Sequence, residues 1–208
     1  MKNTTVLFLA VLVVFCGCAK TTLDKGTIPP KSIYNRAGVT ILSPNELGWT
    51  VVQSSESSIV FEKSENEAIT IASTRTYAIE GFVKHDNNPF IPEAVDNVQI
   101  KRRAQDEDFL TFLEEKKEEE FGPLKMLSIH FNHVLFKGVR CLEYDGEFLD
   151  ERVSGSEFQY FAVKGYICRH SETDDLALEM EFSHRSKSRG FPEHMLVVGQ
   201  AFLENIRF

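Results

Sequence analysis

The sequence predicts an α+β domain in which an antiparallel β-sheet meander packs against one mid-chain helix and one C-terminal helix. Short runs of β-branched and aromatic residues alternate with polar turn segments, first over residues 37–74 and again over residues 124–182. Strands at such close and regular spacing are typical of antiparallel sheets. Residues 106–120 and the segment that begins at Phe191 instead repeat their apolar residues at helical spacing.

Composition is consistent with one globular domain preceded by a leader. The chain has 208 residues, of which 42% are hydrophobic and 26% are charged, and this balance supports a packed core. Its formal net charge is −8. Because nucleic-acid binding needs a basic face, this charge argues against a nucleic-acid partner.

The first half of the domain contains four predicted strands, separated by turn signals such as Pro44-Asn45. In the fourth strand two isoleucines alternate with smaller residues, which predicts a sheet with one face in the core. The four strands cover residues 37–43, 48–53, 59–63 and 68–74. Residues 78–99 contain Gly81 and Pro92 and are interpreted as a long loop, either a variable surface insertion or a functional segment.

The mid-chain helix is predicted over residues 106–120, with acidic residues in its first turn and Gly122-Pro123 after its end. Its apolar side is expected to include Phe109, Phe112, Leu113 and the stem of Lys116. The charged run at its end is interpreted as a solvated face, since exposed pairs along a helix contribute only a few tenths of a kcal/mol. The pairs expected there are Glu114–Lys117 and Lys116–Glu120.

The second half contains four further predicted strands, and a helix that opens at Pro192 follows them. Its two middle strands form a hairpin when the chain folds about Ser154-Gly155. That register pairs Leu142 with Ile167, Gly146 with Val163 and Phe148 with Phe161, and it places the large apolar side chains on one face. The four strands cover residues 124–134, 139–148, 158–168 and 176–182.

The same register places Cys141 opposite Cys168 on the other face of the hairpin. Directly opposed residues can be close enough to form a disulfide, and an exported protein meets an oxidising environment. The sequence therefore predicts a Cys141–Cys168 disulfide. The alternative is two reduced, half-buried cysteines, which would follow if a bulge shifts the register.

The N-terminus has the features of a signal peptide. Lys2 precedes ten consecutive apolar residues, 6–15, a length that suits the hydrophobic region of a signal peptide and is too short to span a bilayer. A buried N-terminal strand or a short anchor helix is the alternative. The run ends in Phe15-Cys16-Gly17-Cys18, which resembles the lipobox of bacterial lipoproteins.

This resemblance implies that Cys18 carries a thioether-linked diacylglycerol and becomes the mature N-terminus. Two or three acyl chains give stable membrane anchoring, whereas a single chain does not. Ala19 is not the aspartate that retains lipoproteins at the inner membrane, so the implied location is the periplasmic face of an outer membrane, or the cell membrane where no outer membrane exists. The expected organisation is a signal peptide at 1–17, a lipidated tether at 18–35 and one domain at 36–208.

Catalytic and metal-binding motifs are weak. His130 and His133 have the spacing of a helical zinc site, but their neighbours predict a strand, on which positions three apart face opposite sides. The other histidines lie among polar residues and are interpreted as surface groups; these are His85, His170, His184 and His194. Neither a nucleophile elbow nor a phosphate-binding or dinucleotide-binding glycine motif is present. We therefore expect no catalytic residue, no metal and no cofactor.

Two short segments carry a second resemblance. Ser43-Pro44 followed by Gly48-Trp49, together with the C-terminal residues 202–208, resembles the PsbP-like fold of photosystem II extrinsic proteins and Mog-type proteins. The resemblance implies an antiparallel sheet with helices packed against it and a binding or assembly role without catalytic residues.

Two hypotheses about function follow. The first is a membrane-anchored lipoprotein whose domain is a non-catalytic module that binds another envelope protein, through residues 78–99 or a sheet face. The alternative is an envelope hydrolase or small-ligand-binding protein, which requires a pocket with two or more convergent ionisable side chains. The absence of recognisable catalytic motifs favours the first.

Overall fold

The computed structural model describes residues 26–65, 67–79, 98–151, 159–170 and 176–207. The predicted signal peptide and Cys18 lie outside these residues, as do residues 80–97 and the Ser154-Gly155 turn. The elements in chain order are β1 (Ile33–Arg36), β2 (Val39–Leu42), β3 (Thr50–Ser54), β4 (Ser58–Glu65), β5 (Ala68–Ala78), α1 (Val98–Phe121), β6 (Lys125–Phe136), β7 (Val139–Leu149), β8 (Tyr160–Arg169), β9 (Leu176–Ser186) and α2 (Glu193–Glu204).

Seven of the strands form one antiparallel sheet in the order β3-β4-β5-β9-β8-β7-β6, and β1 and β2 form a separate hairpin. The central pairing joins β5 to β9, which brings the first half of the chain against the last strand. β1 lies mostly within residues 18–35, which were predicted to be a tether.

The predicted α+β class is wrong. The described residues contain nine strands and two helices, so the protein is predominantly β rather than a balanced α+β domain built around a mid-chain helix. The reason is that most strands extend beyond the segments predicted for them and that β1 adds a further strand. β5, β6, β7 and β9 each have 11 or 12 residues.

Each face of the large sheet carries its own hydrophobic core. On one face, α2 and the β1–β2 hairpin pack with Trp49, Phe61 and Phe182. On the other face, α1 buries Phe109 and Leu113 against the β7–β8 hairpin. Because residues in a strand alternate between faces, β9 contributes its even-numbered apolar residues to the first core and its odd-numbered residues to the α1 face.

The predicted register of the β7–β8 hairpin is confirmed. Leu142 pairs with Ile167, and Gly146 and Phe148 pair with Val163 and Phe161. The Cys141–Cys168 disulfide is also present, with a Cα–Cα distance of 4.3 Å, and both cysteines are fully buried on the α2 face. The pairing of the described residues of β7 and β8 therefore runs from Cys141 to Leu149 without a bulge.

Candidate binding groove

A groove lies on the α1 face of the large sheet. α1 packs over β6 and β7, whereas β3, β4 and β5 continue past it and form the floor and far wall of the groove. The volume is about 1010 Å³, which is at the upper limit of small-molecule pockets. We refer to this feature as the α1 groove.

The side of the α1 groove away from the helix is rich in hydroxyl and amide groups. These come mainly from the ends of β3 and β4 and the turn between them, and they include Gln53, Ser55, Ser57, Ser58 and Ser73. Apolar side chains lie between and opposite them, among them Val60, Ile71, Tyr77 and Phe112. Uncharged hydrogen-bonding groups mixed with apolar surface can bind a ligand that carries few charges of its own.

Lys117 of α1 is the centre of an ion cluster at the helix side of the α1 groove. Its side chain is only 2% exposed, and its Nζ lies 2.7 Å from Glu179, 3.0 Å from Glu120 and 3.2 Å from Glu181. The ammonium also lies 4.7 Å from the centre of the Tyr144 ring. A buried ammonium is stable only when its N–H groups have partners. Here three carboxylates accept its hydrogen bonds and the face of an aromatic ring lies next to it.

Glu179 is the most deeply buried carboxylate of the cluster, with 3% side-chain exposure. Its second oxygen accepts a hydrogen bond of 2.6 Å from Nε of Arg75, which is half-exposed in the groove. Burial alone raises the pKa of this carboxyl group, but the charges of Lys117 and Arg75 outweigh burial and lower the pKa to about 2. Glu179 is therefore ionised at neutral pH.

The charge on Lys117 is fixed in the same way. Burial lowers the pKa of its ammonium, but the charges of Glu181, Glu179 and Glu120 outweigh this effect and raise the pKa well above its ordinary value. General acid–base catalysis at neutral pH needs a group whose pKa lies near 7. The pKa values of Lys117 and Glu179 are both far from 7. The two groups therefore keep their charges at neutral pH and do not exchange protons.

Tyr144 connects the cluster to the β7–β8 hairpin. Its hydroxyl lies 2.9 Å from Glu179 and 2.9 Å from Glu181, and its single proton can be donated to either carboxylate. Burial and these two charges raise the pKa of Tyr144 well above 10. Gly165, its cross-strand partner on β8, makes this reach possible, because a Cβ at that position would lie 2.5 Å from the tyrosine hydroxyl.

Sequence reasoning missed this cluster. It placed Lys116 on the apolar side of the helix, but Lys117 is the buried lysine and Lys116 is 52% exposed. The expected pairs Glu114–Lys117 and Lys116–Glu120 are replaced by Lys116–Glu119 and Lys117–Glu120. The usable signal was a lysine at helical spacing from Leu110, Leu113 and Phe121, all of which are buried.

The positions of the histidines agree only in part with the sequence prediction. His130 and His133 point to opposite sides of β6, where His130 contacts Asp145 and His133 contacts Glu107. The expectation that His170 and His184 are surface groups is wrong, because they are 8% and 4% exposed. β9 extends past Phe182, so His184 lies inside a paired strand, where burial and then the charge of His194 lower its pKa.

His184 also lines a second and smaller pocket of about 220 Å³ on the α2 face. Its Nδ1 lies 2.9 Å from the hydroxyl of Thr70. Among the described residues, no group of three or more His, Cys, Asp or Glu side chains is arranged to hold a metal ion. In the same part of the chain, no helix is both long and apolar enough to cross a membrane.

No model of a known protein family and no curated protein sequence matches the chain. The resemblance to bacterial lipoproteins and the resemblance to PsbP-like proteins therefore stay predictions.

Proposed function

We propose that this protein is a lipid-anchored, non-catalytic binding module of the cell envelope, and that its α1 groove receives the partner. The anchor in this proposal is the lipid on Cys18, and the membrane is the periplasmic face of the outer membrane or, in an organism without one, the cell membrane. The observation that carries the binding role is the α1 groove itself, a broad concave surface whose central charged groups have fixed protonation states.

The composition of the α1 groove supports a binding role. Its charged centre is internally neutralised to a large extent, since Arg75 and Lys117 are within hydrogen-bonding distance of Glu120, Glu179 and Glu181. The hydroxyl-rich wall and the aromatic side chains remain to contact a partner. Specific protein interfaces similarly mix aromatic side chains with hydrogen-bonding groups.

A small-ligand-binding protein is the second candidate, and one observation favours it. Five ionisable side chains converge on one ion cluster in the α1 groove, which is the feature that this alternative requires; they are Arg75, Lys117, Glu120, Glu179 and Glu181. The hydrolase form of the alternative is less well supported, because the depressed pKa of Glu179 and the raised pKa of Lys117 leave both groups without proton-transfer capacity near neutral pH.

Site-specific photocrosslinking in intact cell envelopes tests the proposal. A photoreactive side chain at Ser73, on the floor of the α1 groove, should give a discrete protein adduct. The same side chain at Val197, which is 67% exposed on α2 on the opposite side of the sheet, is the matched control and should not give that adduct. A low-mass adduct at Ser73 would favour the small-ligand candidate, and identical patterns at the two positions would contradict a role for the groove.

The anchor is tested separately. Replacement of Cys18 by serine should abolish incorporation of a radiolabelled fatty acid and move the protein from the membrane fraction to the soluble fraction. Replacement of Cys16 by serine is the control and should leave both unchanged, because Cys16 lies within the predicted signal peptide. A protein that retains Met1 and carries no fatty acid would contradict the proposal.

A further inference from the structure

The outer edge of β6 is an open strand edge. β6 is the terminal strand of the large sheet, and within the described part of the chain no strand pairs on its other side. Its register with β7 shifts between Met126 and Ser128 and is regular from Ser128 to Phe136. Exposed edges are usually protected by charged residues or proline. Residues 128–136 contain no Asp, Glu, Lys, Arg or Pro, so this regular stretch of the edge is not protected in that way.

The opposite edge of the same sheet is partly covered. Thr27 forms a bridge with Thr50 of β3, and the amide of Ile28 donates to the carbonyl of Trp49. β3 is also short, with only five residues. Of the two edges, β6 is therefore the one that offers the longer row of outward-facing backbone groups.

The pairing of the two cysteines shows which backbone groups of β6 point outward. In an antiparallel pair, opposed residues that exchange no hydrogen bonds have Cα atoms about 4.5 Å apart, whereas hydrogen-bonded pairs are about 5.5 Å apart. Cys141 and Cys168 are 4.3 Å apart, so the N–H and C=O of Cys141 point away from β8 and toward Val134 of β6. Alternation along β6 then directs the backbone groups of every second residue away from β7. These residues are Ile129, Phe131, His133 and Leu135.

Acidic side chains of α1 border this edge. Glu107 and Glu114 contact the ring of His133, at 2.9 Å from Nδ1 and 3.5 Å from Nε2. Glu118 is exposed and follows Glu114 by four residues, so it continues the same stripe of the helix. Arg140 pairs with Glu107, but a single guanidinium does not balance three carboxylates. The described part of this stripe therefore has a net negative charge.

We propose that the β6 edge binds an extended segment of a partner protein, in which alternate residues are lysine or arginine, as an added antiparallel strand. In this binding mode main-chain hydrogen bonds supply affinity and alternate side chains supply specificity. The partner residues opposite Phe131, His133 and Leu135 point toward α1, where a basic side chain meets the carboxylates of Glu114 and Glu118. A second copy of the chain does not fit, because it would bring its own acidic stripe against this one.

The exposed side chain of Leu135 also favours basic residues in the added strand. Leu135 is 72% exposed and its side chain is on the same face of β6 as His133, which contacts α1. The alkyl stem of lysine or arginine can cover an apolar side chain while its charged end stays near a carboxylate. The α1 groove lies on the side of the helix toward β5, so this site is separate from the one proposed above.

Peptide binding to the full-length protein in detergent tests the proposal. The probe is a fluorescent peptide of alternating lysine and threonine, and its binding is followed by fluorescence anisotropy. A peptide of the same length that alternates glutamate and threonine should bind at least about tenfold more weakly. A third peptide has the lysine–threonine sequence with a methyl group on the backbone nitrogen of each lysine. It keeps the charges but loses the N–H groups that face β6, and it should also bind at least about tenfold more weakly.

Two variants test whether the peptide binds at β6. Leu135→Pro removes one outward N–H and should weaken binding of the lysine–threonine peptide by at least about tenfold, whereas Leu135→Ala keeps this N–H and should weaken it less. The fluorescence of the buried Trp49 reports whether each variant is folded, and the comparison of the three peptides does not depend on the variants. Absence of binding by the lysine–threonine peptide, equal binding of either control peptide, or unchanged binding to folded Leu135→Pro would each overturn the proposal.

Discussion

The buried ion cluster predicts a large stability loss when Lys117 is replaced by methionine, which keeps the length of the side chain but removes its charge. The pKa of Glu179 is about 2 compared with an ordinary value of 4.5, and each pKa unit corresponds to about 1.4 kcal/mol. After the cost of burial is subtracted, the interactions of Arg75 and Lys117 therefore leave the ionised Glu179 favoured by a net of about 3 kcal/mol. Lys117 is buried whereas Arg75 is partly screened by solvent, so Lys117 supplies the larger share.

We expect Lys117→Met to lower the free energy of unfolding by about 2 to 3 kcal/mol at pH 7. Lys116→Met is the matched control, since Lys116 is its neighbour but pairs with Glu119 on the surface; this variant should lose less than about 0.5 kcal/mol. Trp49, the single tryptophan of the chain, is fully buried. Its fluorescence during urea denaturation reports unfolding in all variants.

The pH dependence gives an independent check. A carboxyl group whose pKa is depressed by folding stabilises the protein above its unfolded pKa, and this stabilisation is lost as the pH falls toward the folded value. For Glu179 the window lies between about pH 4.5 and pH 2. The difference between the unsubstituted protein and Lys117→Met should therefore narrow across that window. A Lys117→Met variant as stable at pH 7 as Lys116→Met, or a difference that does not change with pH, would refute the reasoning.

Three further changes have defined outcomes in the same denaturation assay. Tyr144→Phe should cost about 1 to 3 kcal/mol, because its hydroxyl is a buried donor to two carboxylates; a neutral result would contradict that role. Gly165→Ala should cost at least about 1 to 3 kcal/mol, since the new Cβ would lie 2.6 Å from the backbone oxygen of Met180, and full stability would refute the close packing. Removal of both Cys141 and Cys168 should cost about 3 kcal/mol and abolish the effect of reductant on stability; a reductant effect that persists would show that another disulfide contributes.

Local pattern was sufficient to predict the β7–β8 hairpin down to its register. The apolar residues of each strand alternate, and a register slip by one residue would have turned Leu142 and Phe148 to the wrong face. The two cysteines then had to lie opposite each other, as they do. Most of the other strands and both helices were also located from their apolar periodicity, but α1 begins at Val98, eight residues earlier than predicted, and its first turn contains none of the predicted acidic residues.

Fold class was not predictable to the same degree, because it depends on how far each strand extends. β5 continues through Tyr77 and β9 through Ser186, beyond the segments whose residues alternate clearly. The two strands stabilise each other by pairing. Because β5 and β9 are far apart in the sequence, a local pattern cannot show that they pair. Tertiary pairing therefore determined the balance between strand and helix.

The ion cluster was missed for a related reason. Glu179 and Glu181 alternate with apolar residues in β9, which is the pattern of a strand with one solvated face. β9 is instead the middle strand of seven, so its glutamates are directed under α1. Only the three-dimensional position of Lys117, on a helix that packs over this face, shows that their charges are balanced.

The pairing of β5 with β9 also determines when the fold can be completed. Ala68 pairs with Ser186, so the middle of the sheet closes only after almost the whole chain is available. β6 to β9 can assemble as a meander of neighbouring strands. β3 to β5 form a three-stranded unit, and β5 cannot complete its pairing until β9 is available. Pairing over such a sequence distance slows folding, and we expect that a chain still being synthesised remains without its native core until β9 has emerged.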